Sequence, residues 1–131
     1  LLIELESTLT CFLVSMLIVL ATSFAFTLVT KYNDWEEISG GNVAAALALG
    51  GKIFGVSNII RFSVLSNTSP VHTIFWGAVG AALLVVVYLL FEWLTPRINV
   101  NREIAKGNTA VGVLSMVFSV AASFVIGASI S

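Results

Sequence analysis

Charge is scarce in this chain, so the few ionisable residues that fall in apolar surroundings are where chemistry would have to happen. Of 131 residues, six are Lys or Arg, seven are Asp or Glu and one is His. Lys52 lies inside an apolar run, ten positions after Asn42, or about 15 Å along a helix that rises ~1.5 Å per residue. An ammonium near the middle of a hydrocarbon layer is costly and by default marks a functional site; the alternatives are that it snorkels to the interface or sheds its proton. Glu92 lies near the end of a later apolar run. Side chains lean towards the N-terminus of their own helix, so on antiparallel helices Lys52 and Glu92 approach each other in depth. A direct or water-bridged ion pair between them is the expectation. Arg61, nine positions beyond Lys52, falls on the opposite helix face at about 100° per residue. It should reach headgroups at the far interface, with Ser57 and Asn58 close by. His72 is expected in a loop without a partner, and Cys11 as a small buried hydrophobe. One Cys and one His cannot assemble a metal cluster, and no nucleophile–base pair or phosphate loop occurs. No metal, no cofactor and no enzymatic activity are therefore expected.

The elements that position these residues follow from composition. The chain is 58% hydrophobic and 10% charged, with mean hydropathy +1.04, against about 25% charged residues in an average soluble domain. Its solvent must be partly the lipid bilayer. Four runs, Thr8 to Val29, Val43 to Leu65, Val71 to Leu94 and Thr109 to Ile130, approach the ~20 residues that cross a ~30 Å layer as a helix. They are continuously apolar rather than alternating, which excludes a membrane barrel. The fold class is all-α integral membrane, with residues 1–131 forming a single transmembrane domain. A net charge of −1 gives no reason to expect a nucleic-acid partner. The chain opens on Leu1 rather than Met, so native residues are expected before it, and an acidic start at Glu4 and Glu6 does not suit a cleaved secretion signal. Lys31, Arg97, Arg102 and Lys106 all fall in connections 31–42 and 96–108. The positive-inside rule puts those loops in the cytoplasm and both termini outside, with Trp35 and Trp93 at the inner interface and Trp76 at the outer one.

The sequence also repeats. Asn33 to Ala44 reads NDWEEISGGNVA and Asn99 to Ala110 reads NVNREIAKGNTA. Asn33 aligns with Asn99, Glu37 with Glu103, Ile38 with Ile104, Gly41 with Gly107, Asn42 with Asn108 and Ala44 with Ala110. Each copy stands between one spanning helix and the next, so the chain reads as two tandem two-helix repeats, 7–66 and 71–131, related by a pseudo-two-fold axis along the membrane normal. In the first copy Asp34 and Glu37 fit a capping box that starts a short interfacial helix, and Gly41 ends it. Asn42 and Asn108 then cap the next spanning helix. An alternative is that the two helix N-termini bind an anion. The polar groups within the runs do not repeat: Lys52 aligns with Phe118, Arg61 with Gly127 and Glu92 with Phe26. Small residues form stripes, with Gly51 and Gly55 joining Ala44 and Ala48 on one helix and Gly112, Ser115 and Ser119 on another. These suit close helix packing, and the serine stripe alternatively suits a polar pathway.

The doubled Glu-Ile-x-x-Gly-Asn-x-Ala motif, Glu37 to Ala44 and Glu103 to Ala110, in a four-helix chain of this length resembles the small bacterial membrane proteins called domain of unknown function 350. The resemblance covers essentially the whole chain. It implies a bacterial inner-membrane location and four crossings, and no established reaction or ligand. Relatives in that family are often encoded near membrane-stress proteins of the phage-shock type. Two functions follow as expectations. The first is a structural or interaction component of the envelope that self-assembles as a homo-oligomer through small-residue faces, with a cytoplasmic envelope-stress partner. The second is an oligomeric channel or transporter for an ion or small solute using Lys52, Glu92, Asn58 and the serine face.

Overall fold

The computed structural model describes residues 1–30, 32–66, 69–95 and 97–131. Lys31, which entered the orientation above, lies outside them, as do Asn67 and Thr68 of the second connection and Pro96 of the third. The described chain is all helical: α1 (Leu2–Val29), α2 (Asp34–Ser39), α3 (Val43–Ser66), α4 (Pro70–Leu94), α5 (Val100–Ala105) and α6 (Thr109–Ile130). Four of these, α1, α3, α4 and α6, are long and apolar enough to cross a membrane. Their outward faces carry large exposed apolar side chains, among them Leu17 and Phe24 of α1, Leu90 of α4 and Val125 of α6. In water this would be an aggregation surface; in lipid it costs nothing.

Helix α1 begins at Leu2, six residues before the expected start at Thr8. Glu4 sits in its first turn, where a carboxylate complements the helix dipole. The hydroxyls of Thr8 and Thr10 donate back to the carbonyls of Glu4 and Glu6, at 2.8 and 2.9 Å. Polar residues that lowered the hydropathy of this stretch are thus accommodated within the helix.

Helix α3 is the centre of the bundle, meeting every other helix, and its most extensive contact is with α6. The approach is close because small residues oppose backbone. A Cβ on Gly112 would lie 2.7 Å from the Cα and carbonyl oxygen of Ala44, and one on Gly51 would lie 2.6 Å from the Cα of Met116. Gly55 faces the Ser119 carbonyl and Ser123, while Ser115, Ser119 and Ser123 are buried along the same seam. A Cβ on Gly77 would lie 2.7 Å from Cδ1 of Ile60, and one on Gly80 would clash with Cγ2 of Ile59. These two glycines bring α4 against α3, a role the sequence stripes did not assign. Within the chain these small residues pack α6 and α4 against α3. Helix α1 is peripheral: it leans on α3 and α4 and buries only Val19 and Phe26.

Candidate functional site: a buried polar cluster at the α2 and α5 end

Two short helices close the same end of the bundle, and one sequence device builds both. The side-chain oxygen of Asn33 accepts from the Glu36 amide and that of Asn99 from the Arg102 amide, each at 3.1 Å. Asn33 rather than Asp34 is thus the N-cap of α2, and the expected Asp34–Glu37 capping box does not form. Each helix ends in a Schellman motif around a glycine in the left-handed region, Gly41 at φ 87° and Gly107 at φ 84°. The Asn42 amide donates to the Glu37 carbonyl and the Asn108 amide to the Glu103 carbonyl, both at 2.9 Å. Asn42 then accepts from the Ala45 amide at 3.1 Å and Asn108 from the Val111 amide at 3.4 Å, which caps α3 and α6. Their side-chain NH2 groups donate to Glu37 and Glu103, both at 3.1 Å. That accounts for the motif's glutamate, glycine and asparagine. It also argues against an anion at either helix start, because the asparagine already occupies it and a carboxylate stands alongside. Asn42 reaches further: its NH2 donates at 2.7 Å to the Ile104 carbonyl and at 3.3 Å to that of Ala105, tying the start of α3 to α5.

Capping by Asn33 frees Asp34 to turn inward, where it is 2% exposed. Its Oδ2 accepts from the Thr30 hydroxyl, and its Oδ1 has no hydrogen-bond partner. Beside it, Lys52 of α3 is fully buried, and its Nζ also has no hydrogen-bond partner. The ammonium lies 3.8 Å from the ring centroid of Tyr88 and 5.9 Å from that of Phe26. These are cation–π contacts with two rings that pack edge to face at 6.4 Å. The expected direct ion pair with Glu92 does not form. Glu92 instead accepts at 2.9 Å from the side chain of Asn101 on α5. Glu92 is half-buried, and the Tyr88 hydroxyl is turned towards it without closing a hydrogen bond. Asp34 and Glu92 are the carboxylates whose fields act on Lys52. Tyr32, in the connection before α2, completes the group; its hydroxyl has no hydrogen-bond partner. Burial foremost, and then the carboxylates of Asp34, Glu92 and Glu37, push its phenol well above the ordinary tyrosine range.

Four unpartnered buried polar atoms therefore converge here: Asp34 Oδ1, Lys52 Nζ and the hydroxyls of Tyr32 and Tyr88. Leaving such groups without partners costs roughly 1–3 kcal/mol each, and more when charged. Sequence reasoning singled out Lys52 and Glu92 but missed Tyr32, Asp34, Tyr88 and Asn101. One available signal was Val100, which occupies in the second motif the place of Asp34 in the first and is likewise buried. An apolar residue at the matching position marks that position as inward-facing.

The remaining candidates lie elsewhere. Asn58 is buried in the α3–α6 seam, where its side chain donates to the Ser123 hydroxyl at 3.0 Å. Arg61 is exposed on the other face of α3, 5.6 Å from the Phe62 ring. Lys52, Asn58 and Arg61 thus occupy three separate surroundings. His72 belongs to the first turn of α4 rather than a loop, because Pro70 starts that helix early. Cys11 is exposed, not buried, because the first half of α1 stands away from the bundle. It lines an open groove of about 460 Å³ together with Glu6, Thr10, Ser69 and Thr73. Among the described residues no group of His, Cys, Asp and Glu could hold a metal ion as a set of three or more.

The family model described as Domain of Unknown Function (DUF350) matches residues 1–130. The chain is 47% identical over 105 residues to the UPF0719 transmembrane protein YshE of Bacillus subtilis (strain 168), covering 80% of this chain and 78% of that one. It is 24% identical over 102 residues to the UPF0719 inner membrane protein YjfL of Escherichia coli (strain K12), covering 78% of this chain and 76% of that one. No solved structure matches the chain.

Proposed function

Because the chain belongs to the DUF350 family, whose relatives here are named as transmembrane and inner membrane proteins, we propose that it is an inner-membrane protein that handles an ion or small polar solute at the cluster around Lys52. The observation that carries this reading is the fully buried Lys52 ammonium without a hydrogen-bond partner, set among Asp34, Tyr88 and Glu92. Stability does not account for such a group. Replacing buried charges by apolar residues of similar volume is often neutral or stabilising by about 1–4 kcal/mol. Ionisable groups inside a membrane bundle instead mark ion or substrate pathways. Half-buried Glu92 and Tyr32 offer access from the end that carries α2 and α5.

The rest of the reading rests on the sequence. The two motif copies, with like caps and like glycine conformations, support a tandem duplication about a pseudo-two-fold axis along the membrane normal. The basic connections support loops 31–42 and 96–108 in the cytoplasm and both termini outside.

The second reading is a structural component of the envelope that self-assembles or engages a membrane-stress partner. It is favoured by Trp35, Glu36, Arg102 and Lys106, which are exposed together at the α2 and α5 end. Ion flux into liposomes that contain the purified full chain separates the two. The expected result is flux that falls several-fold in Lys52→Ala and in Asp34→Asn. Absence of flux for every small ion tested, with folded protein in the bilayer, would overturn the ion-handling reading and leave the structural one.

A further inference from the structure

The sign and valence of the ion follow from what the cluster offers, granted that it is an ion site. Apart from Lys52 itself, the groups turned into the cluster are electron-rich. They are the unpartnered Oδ1 of Asp34, the hydroxyl oxygens of Tyr32 and Tyr88, the Glu92 carboxylate and the faces of the Phe26 and Tyr88 rings. An anion would have to enter beside two carboxylates; a cation meets oxygen ligands of the kind hard cations prefer. Valence follows by charge balance among the described residues. Asp34 and Glu92 contribute two negative charges and Lys52 one positive. Glu37, half-buried at the Asn42 cap, is not among the carboxylates whose fields act on Lys52, and Arg102 and Lys106 are exposed on α5 and just beyond it. One further positive charge neutralises the cluster. A divalent ion would overshoot, restoring the penalty for burying net charge.

We propose that the cluster is a binding site for one monovalent metal cation, held by Asp34, Tyr32, Tyr88 and Glu92, with the Lys52 ammonium as a built-in competitor for the same negative field. Lys52 sits where a free cation would be most stabilised, over the Tyr88 ring and within the fields of both carboxylates. Its unbranched stem leaves the ammonium tethered but able to shift. Entry of a metal cation weakens the hold on the ammonium, and the ammonium weakens the hold on the cation. This rests on the ion-handling reading but makes a claim of opposite sign to intuition: removing the lysine charge tightens binding.

The test is equilibrium binding of radiolabelled sodium and rubidium to the purified full chain in lipid nanodiscs, at ionic strength held constant with choline. Thermal melting and gel filtration establish that each variant is folded. The expected result is saturable binding of one ion per chain, lost in Asp34→Asn and tightened roughly tenfold or more in Lys52→Met, as befits removal of a nearby like charge in a poorly solvated site. Should Asp34→Asn fail to fold, Glu92→Gln carries the same expectation of weakened binding. Saturable chloride or phosphate binding that disappears in Lys52→Met overturns the inference while leaving an ion site in place. So does a cluster that responds to pH but binds sodium and rubidium no better than choline, which would make the ion a proton. No saturable cation binding in either the native chain or Lys52→Met overturns it too, and liposome flux then decides whether the ion-handling reading falls with it.

Discussion

Tyr32 lies in the connection between α1 and α2, and its phenol is held protonated beyond the ordinary tyrosine range by burial and by three nearby carboxylates. An unfolded chain would ionise this tyrosine near pH 10, whereas the folded one keeps the proton. Above that pH the unfolded state binds fewer protons, so stability falls as pH rises, and the contribution present at neutral pH is lost progressively through the alkaline range. Thermal melts between neutral and strongly alkaline pH should therefore show an alkaline decline that is shallower in Tyr32→Phe. Equal slopes in both proteins would refute this account of Tyr32. At this scale the sequence was only half legible. Lys52 stands out because an ammonium in an apolar run has no bland explanation, but Asp34 did not, because an acidic residue near a helix start fits a cap. Whether Asp34 faces water or the interior depends on which neighbour takes the capping position, and Asn33 takes it.

Among the elements, the α3–α6 seam is the contact least able to give. At Gly112 an added methyl would meet the backbone of Ala44, and backbone cannot rotate away as a side-chain end can. Gly112→Ala should destabilise by about 1–3 kcal/mol, the usual cost of overpacking, read as a lower unfolding midpoint in detergent. Gly50→Ala is the control: a methyl there meets nothing within 4 Å, so it should leave the midpoint unchanged or slightly raised. Equal effects of the two substitutions would show that α3 and α6 do not approach as described. The stripes of small residues were legible as packing surfaces. Their partner was not, since a stripe on one helix fits a neighbour in the same chain as well as one in a second copy. Gly77 and Gly80 escaped notice because they meet Ile60 and Ile59, a small-against-large fit that no small-residue pattern announces.

For the molecule as a whole, four spanning helices would put both termini on the same side of the membrane. An even number of crossings returns the chain to the side it left, and the proposed cytoplasmic placement of the basic connections would put both termini outside. In a Cys11→Ser background, Glu36→Cys and Ser131→Cys place exposed thiols at opposite ends of the bundle. A membrane-impermeant maleimide added to intact cells should label Ser131→Cys and reach Glu36→Cys only after the inner membrane is opened. The reverse pattern would invert the topology, and labelling of both in intact cells would contradict four crossings. Hydropathy and caps alone determined the number and type of the spanning helices and the starts of α3 and α6, because these depend on properties that are local along the chain. The tertiary structure decided which buried groups meet. Lys52, Asp34, Tyr88 and Glu92 come from three helices, and their convergence follows from how α2 docks beneath α3 and how closely glycines let α4 approach. Those distances are set by packing between segments far apart in sequence, on which local pattern carries no information.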